Sequence, residues 1–192
     1  PTRRSSDLEL YAKGPVFEIM VPLVFDDGKW KLLFEVRSPN IKQGGEVCFP
    51  GGKAMDNEEC GMAAVRECAE ELLIAEDDIE VICPLFVQGA GEDRIIRSYL
   101  CSLKSYEGTF SPDEVAMTFL VDYEWFISHP PKIYEGEYVP KLPSDFPYDK
   151  IIGGRDYPFR KIKRTHYFYE ADGKVIWGLT AQILYNVLPL LQ

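Results

Sequence analysis

The sequence lacks several features that define whole classes of protein. No apolar run among its 192 residues approaches the roughly 18 that a membrane-spanning helix needs. No apolar stretch follows the opening residues PTRRSSD, so we expect no secretory signal peptide. The five cysteines are odd in number and form no C-x-x-C pair. A disulfide framework or a zinc site is therefore not expected, and a reducing cytoplasm is the predicted location.

Positive charge is also scarce. Lysine and arginine number 21 against 31 aspartates and glutamates, which gives a net charge of −10. This balance argues against binding nucleic acid through a basic face. It leaves open a small anionic substrate, because a bound divalent cation reverses the local sign of the field. The sequence thus predicts neither a nucleic-acid nor a membrane partner, and it leaves a homodimer open.

The first eight residues are set apart from the rest of the chain. PTRRSSDL resembles the translation of a sequencing-adapter oligonucleotide, and the alternative is a disordered polar tail. In either case we assign no function to residues 1–8. Residues 9–192 are predicted to form a single domain, since the chain is 46% hydrophobic and long enough for one core.

Strand and helix signals mix along the chain without regular alternation. Strands are predicted at 16–25, 30–36, 46–49, 79–87 and 94–103, with hairpin turns at DDGK (26–29) and QGAGED (88–93). Helices are predicted at 59–72, at 122–128 and, capped by Thr180, at 181–191, and a further hairpin turn at ADGK (171–174). Residues 130–160, rich in proline, are predicted to be an irregular insertion. The pattern indicates an α+β fold or a mixed-sheet sandwich.

The helix at 59–72 contains an unusual cluster of carboxylates. At about 100° per residue, Glu67, Glu70 and Glu71 share one side, and an apolar stripe occupies the opposite side. That stripe comprises Met62, Val65, Ala69 and Leu72. Three exposed glutamates on a helix are ordinary, but no lysine stands four residues on to pair with them. A glycine loop, FPGGK, precedes the helix, and carboxylates beside bare backbone are ligands that suit Mg²⁺.

These residues resemble the Nudix box. The matching residues are Gly52, then Glu58 after five residues, then after seven more RECAEELLI at positions 66–74. Leu73 departs from the pattern, which has glycine there, and we expect a changed exit from the helix. The resemblance implies an α/β/α sandwich with a mixed β-sheet and a loop–helix–loop motif.

The resemblance also implies roles for individual residues. Glu67, Glu70 and Glu71, with the carbonyl of Gly52, would bind Mg²⁺ or Mn²⁺. A salt bridge would join Glu58 and Arg66, which points away from the carboxylates. Water would attack a diphosphate, with Glu70 as the first candidate for the general base and Glu114 as the second.

Flanking segments resemble the coenzyme A pyrophosphatase subgroup of this family. They are LFEVRS at 33–38, GGEVCFPGG at 44–52 and VIWGLTAQIL at 175–184. The resemblance implies hydrolysis of CoA or an acyl-CoA to 3′-phosphoadenosine 5′-phosphate and (acyl-)phosphopantetheine. Arg37, Lys42 and Lys53 are candidate contacts for the substrate's anions.

Three departures keep other substrates open. Glu35 replaces a threonine, Lys42 takes the place of an arginine, and the spacing from Ser38 to Phe49 is one residue short. The alternatives are hydrolysis of ADP-ribose or another nucleoside diphosphate derivative, and a Nudix-fold binding module without catalysis.

Overall fold

The structure is a computed structural model that describes residues 14–89 and 94–192. The predictions for residues 1–8 and for most of the QGAGED loop lie outside these ranges. Within them, no helix is long and apolar enough to cross a bilayer. All five cysteines are free.

The described residues form strands and helices in the following order. The strands are β1 (Val16–Asp26), β2 (Lys29–Arg37), β3 (Val47–Cys48), β4 (Gly51–Lys53), β5 (Ile79–Gly89), β6 (Ile95–Leu103), β7 (Val115–Asp122), β8 (Lys132–Tyr138), β9 (Ile162–Ala171) and β10 (Lys174–Ile176). The α-helices are α1 (Met62–Leu72), α2 (Tyr123–Ser128) and α3 (Gly178–Val187). Short 3₁₀ turns cover Glu76–Asp78, Tyr148–Lys150, Gly154–Asp156 and Leu188–Leu190.

A seven-stranded mixed sheet organises the fold. Its order is β3-β2-β1-β6-β5, with β4 also paired to β1 and β7 to β2. Strands β1 and β6 run parallel, whereas the other pairs are antiparallel. One edge of β1 pairs with β4 near Ile19 and with β2 from Leu23 onward. Because β4 pairs with the first part of β1 and β2 with the second part, the glycines of β4 lie in the middle of the sheet.

Hydrophobic clusters cover both faces of this sheet. On one face, Phe34 stacks between Phe49 and Phe119, and α2 and α3 complete the cluster. On the other face, Met20 and Leu33 pack against α1 through Leu72. Helices on both faces of a mixed sheet are the α/β/α sandwich that the sequence predicts.

The insertion predicted at 130–160 is only partly irregular. Strand β8 pairs with β9 from Lys132–Phe168 to Tyr138–Ile162, so the two strands form a long hairpin. Six of the seven β8 residues are exposed, on both faces of the ribbon. The strand therefore lacks the apolar alternation by which strands are detected in a sequence.

The last helix also begins earlier than predicted. It starts at Gly178, and Thr180 is not its N-cap. Instead, the Thr180 hydroxyl donates to the carbonyl oxygen of Val47 at 3.1 Å, which ties α3 to β3. The predicted apolar stripe of this helix is confirmed, because its four members are buried. They are Ile183, Leu184, Val187 and Leu188.

Candidate active site

Helix α1 is anchored at both ends by specific backbone contacts. At its start, the N–H of Gly61 donates to the buried carboxylate of Glu18 at 2.8 Å. At its end, Leu73 adopts the left-handed conformation, with φ of 53°, and the N–H of Ile74 donates to the Ala69 carbonyl at 3.1 Å. The prediction of a changed exit is wrong, because Leu73 takes the conformation that a glycine cap would supply.

The helix is rotated about its axis relative to the sequence prediction. Glu71 lies in the centre of the buried face and is only 6% exposed, whereas Met62, predicted to be in the apolar stripe, is 44% exposed. The small side chains of Ala63, Ala64 and Cys68 lie beside it on the buried face, together with Leu72, the member of the predicted stripe that is fully buried. The carboxylates therefore do not share one open side: Glu70 faces solvent, and Glu71 faces the sheet.

The two glycines of β4 receive the carboxylates of α1. The N–H of Gly51 donates to Glu71 Oε2 at 2.8 Å. The carboxyl group of Glu67 occupies the space where a Cβ at Gly52 would stand. Gly51 itself has φ of 146°, where a Cβ would collide with the carbonyl of Glu18. Only glycine fits either position without displacing its neighbours.

Arg66 binds three glutamates. Its Nε donates to Glu58 Oε1 at 3.1 Å, the ion pair that the resemblance predicts. Its Nη1 lies 2.7 Å from Glu67 Oε1 and 3.5 Å from Glu70 Oε2. The prediction that Arg66 points away from the carboxylates is wrong, since its guanidinium neutralises part of their charge. The i,i+4 spacing of Arg66 and Glu70 was the signal that the sequence analysis missed.

The loop before β7 brings a fourth carboxylate to the helix. The Ser111 N–H donates to the backbone carbonyl of Glu71 at 2.7 Å, and the Thr109 hydroxyl donates to that of Leu72 at 2.6 Å. These bonds satisfy carbonyls that the end of α1 leaves open. Glu114 follows in the same loop, and its carbonyl accepts from the Ser38 N–H at 2.8 Å.

A cleft of about 620 Å³ gathers most of the predicted site residues. Its lining includes Gly52, Glu67, Glu71, Glu114, Arg37 and Lys42. Arg37 is fixed by its Nε, which donates to the Lys42 carbonyl at 3.0 Å. Glu70 and Lys53 are not among the lining residues. The first turn of α3, at Gly178–Thr180, also faces the cleft, and a helix N-terminus favours negative charge.

Electrostatics within the cleft act most strongly on Glu71. Burial raises the pKa of this carboxyl to about 7, although the hydrogen bond from Gly51 lowers the pKa. The charges of Glu114 and Glu67 raise its pKa further, and the guanidinium of Arg37 lowers it. The carboxylates of the cleft thus repel one another in the absence of a cation.

Glu35 is a buried carboxyl whose role the sequence analysis did not identify. It is 1% exposed on β2, and its Oε1 makes no hydrogen bond within the described residues. Its Oε2 accepts a long hydrogen bond from the Cys48 thiol, at 3.8 Å. Burial raises its pKa well above the ordinary value, and the charge of Glu71 adds to the rise. The sequence showed only that a glutamate replaces a threonine here.

The donor set of the cleft fits a hard divalent cation. Within the described residues, no three His, Cys, Asp or Glu side chains stand close enough together to hold a metal ion as they are placed. The cleft nonetheless offers carboxylate oxygens from Glu67, Glu71 and Glu114, and such oxygens are the ligands of Mg²⁺ and Mn²⁺. The mutual repulsion at Glu71 is what a cation would neutralise.

Two curated proteins are similar to this chain over much of its length. The chain is 31% identical over 134 residues to mouse "Peroxisomal coenzyme A diphosphatase NUDT7", covering 68% of this chain and 56% of that protein. It is 26% identical over 170 residues to Arabidopsis thaliana "Nudix hydrolase 22, chloroplastic", covering 83% and 49%. The chain thus spans about half the length of these curated relatives.

A solved structure and a family model were also matched to the chain. A C. elegans Ap4A hydrolase aligns with a TM-score of 0.49 and 19% identity over 59% of this chain and 84% of that one. The family model described as the NUDIX domain matches residues 17–141, which include nearly all of β1, helix α1 and the whole of β8. The chain belongs to the NUDIX domain family.

Proposed function

We propose that this chain is a hydrolase of diphosphate-linked small molecules that depends on Mg²⁺ or Mn²⁺. The observation that carries the proposal is the convergence of Glu67, Glu71 and Glu114 with Arg37 and Lys42 in one cleft. Carboxylates supply ligands for the cation, and the two basic side chains supply charge for phosphate oxygens.

Each residue of the cleft has a distinct task in the proposed reaction. Glu67 and Glu71, beside Gly52, would hold the cation, which polarises phosphoryl oxygens when bound. Arg37 and Lys42 orient the diphosphate. A water oxygen bonds to phosphorus while the bridging P–O bond breaks, and a carboxylate takes the proton of the water.

The position of Glu114 supports it as the first candidate for that base, ahead of Glu70. Glu114 lines the cleft and lies close enough to Glu71 to raise its pKa. Glu70 is exposed and contacts Arg66. Lys53 does not line the cleft, so its position does not support it as a substrate contact. Its backbone carbonyl instead accepts a hydrogen bond from Arg66 at 3.3 Å.

Coenzyme A or an acyl-CoA is the proposed substrate. Its support is the flanking resemblance at 33–38 and 175–184 and the name of the mouse relative. ADP-ribose is the second candidate, favoured by the shortened spacing from Ser38 to Phe49. Cytoplasmic location stays a prediction, and the name of the mouse relative places that protein in the peroxisome.

Product analysis separates these candidates. The protein is incubated with Mg²⁺ and, in parallel, CoA, ADP-ribose and NADH, and the products are identified by mass. We expect 3′-phosphoadenosine 5′-phosphate and phosphopantetheine from CoA as the dominant products. Preferred cleavage of ADP-ribose would replace CoA as the substrate. No cleavage of any of the three would leave a binding module in place of an enzyme.

A further inference from the structure

Strands β8 and β9 and the loop between them form an arm, which we define as residues 132–164. The two strands pair along the whole of β8, from Lys132 to Tyr138, a ribbon of about 20 Å at 3.3 Å per residue. Within the described residues, β8 pairs with no strand other than β9, and β10 joins β9 only at Tyr169–Ala171, beyond the arm. A two-stranded ribbon is marginally stable without a surface to cover it.

The loop at the tip of the arm is packed on its own aromatic rings. Phe159 meets Phe146 edge-on, with ring centres 6.2 Å apart, and meets Tyr157 at 4.9 Å. These contacts close the loop but leave Ile152 outside it, 97% exposed. The tip therefore presents an aliphatic side chain that the described part of the chain does not cover.

Exposed apolar side chains are concentrated on the arm. Of the 20 large hydrophobic side chains that are exposed in the described structure, seven lie between residues 132 and 164. They include Ile133, Tyr138, Val139, Ile152 and Ile162, each more than half exposed. A concentration of exposed apolar surface marks a place where another molecule binds.

The arm also differs in charge from the rest of the chain, which we call the body. It holds eight of the 21 lysines and arginines but only five of the 31 aspartates and glutamates, so its net charge is +3 and that of the body is −13. Among the described residues, two of the eight basic side chains form salt bridges: Lys132 with Glu170, and Lys161 with Glu137. The remaining positive charge is available to a partner.

Charge identifies the partner. The arm meets its own body near its base, where Tyr167 of β9 stacks on Tyr185 of α3 at 4.1 Å. An anionic lipid surface would attract the arm but repel the body, and a second arm would repel the first. The body of a second copy is attracted to the arm, and two copies related by a two-fold axis satisfy both arms at once.

We infer that the arm of one copy docks on the acidic body of a second copy, so that the chain forms a homodimer. The exposed apolar side chains supply the buried contact, and the basic side chains around them set its position. No described residue of the arm lines the catalytic cleft. The inference therefore does not depend on the proposed function, and it is tested without substrate.

Sedimentation equilibrium of the full chain is the first test. We expect a dimer whose dissociation constant rises at least tenfold between about 0.1 M and about 1 M salt, because the Debye length falls from roughly 10 Å to 3 Å. The mass of a single chain at the highest soluble concentration would overturn the inference. A dimer that does not respond to salt would overturn the charge argument that selects the second copy.

The double substitution Lys141→Glu and Arg160→Glu locates the contact. Both side chains are exposed and lie outside β8 and β9, so the ribbon keeps its pairing. We expect the dimer to weaken at least tenfold at 0.1 M salt. The matched control, Lys29→Glu with Lys104→Glu, changes the net charge equally but leaves the arm basic. An equal loss in the control, or an unchanged or tighter dimer in the arm variant, would overturn docking through the arm.

Ile152→Ser tests the apolar part of the contact. Because Ile152 is 97% exposed, its replacement should not change the urea midpoint of the monomer at 1 M salt. Loss of a buried isoleucine contact should weaken the dimer at least tenfold. Leu190→Ser, on the body and 61% exposed in the free chain, is the control and should dimerise as the wild type does. Wild-type dimerisation of Ile152→Ser would show that the tip of the arm makes no contact.

Lipid binding decides between the second copy and a membrane. The protein is sedimented with vesicles of phosphatidylserine and phosphatidylcholine in equal parts, and we expect it to stay in the supernatant. Co-sedimentation that is lost in the Lys141→Glu, Arg160→Glu variant would make an anionic lipid surface the partner of the arm in place of a second copy.

Discussion

The carboxyl group of Glu67 stands where residue 52 would carry a Cβ, so the presence of glycine at 52 and the position of Glu67 depend on each other. Gly52→Ala should displace this carboxyl and lower Mg²⁺ affinity at least tenfold. It should also reduce the free energy of unfolding by about 1–3 kcal/mol, the usual cost of forcing extra volume into a packed site. Isothermal titration with Mg²⁺ and urea denaturation measure the two effects.

Gly136→Ala provides the control for that substitution. Gly136 also lies in a strand, β8, and a Cβ there would meet the His166 ring at 3.3 Å and the Arg164 carbonyl oxygen at 3.7 Å. We expect unchanged Mg²⁺ affinity in this variant. If Gly52→Ala bound Mg²⁺ as tightly as the wild type, Glu67 would not be a ligand.

Glu114 and Glu70 are distinguished by kinetics. Removing a general base typically costs 10²–10⁴ in rate, so Glu114→Gln should lower kcat by about that factor at saturating Mg²⁺. Glu70→Gln should reduce kcat much less, because Glu70 is exposed and outside the cleft lining. The opposite ranking of kcat in the two variants would restore Glu70 as the base.

Much of this architecture could be predicted because it is local. The first hairpin follows from DDGK, since Asp27 and Gly28 both have positive φ, as a two-residue hairpin turn requires. The existence of α1 and its carboxylates also followed from spacing. Its rotation did not, because the exposed Met62 is more apolar than the alanines that the sheet actually buries. Which face meets the sheet is decided by tertiary packing, and by the contact of Glu71 with Gly51.

The pH dependence of stability reports on Glu35. Its pKa is raised well above 4.5 by burial, so the protonated form is favoured by folding. The stability linked to this proton is fully present below pH 4.5 and is lost as the pH rises through the folded-state pKa. Glu35→Gln should therefore match the wild type at acid pH and exceed it at pH 8 by roughly 1–3 kcal/mol.

Urea denaturation at several pH values, with EDTA present, measures this difference. Glu80→Gln on β5 is the control, since Glu80 is exposed and its replacement should not change the pH profile. A constant difference between Glu35→Gln and the wild type at all pH values would mean that Glu35 does not titrate with folding in this range.

Leu73 is held in a conformation that suits glycine better. Its φ of 53° and ψ of 48° are left-handed, and its side chain is 58% exposed, so little apolar contact compensates the strain. A left-handed non-glycine residue costs roughly 1–2 kcal/mol. Glycine avoids this strain, but its greater conformational entropy in the unfolded chain offsets part of the gain. Leu73→Gly should thus raise the free energy of unfolding by about 0.5–1 kcal/mol.

Leu73→Ala separates backbone strain from the loss of the leucine side chain. Alanine keeps the Cβ that makes the left-handed conformation costly, so this variant should gain no stability. The midpoint of urea denaturation, at unchanged m-value, is the measurement for both variants. Because the Ile74 N–H to Ala69 bond needs only the backbone, Leu73→Gly should also retain the wild-type affinity for Mg²⁺. A destabilised Leu73→Gly would show that the exposed leucine stabilises the end of α1 by contact rather than straining it.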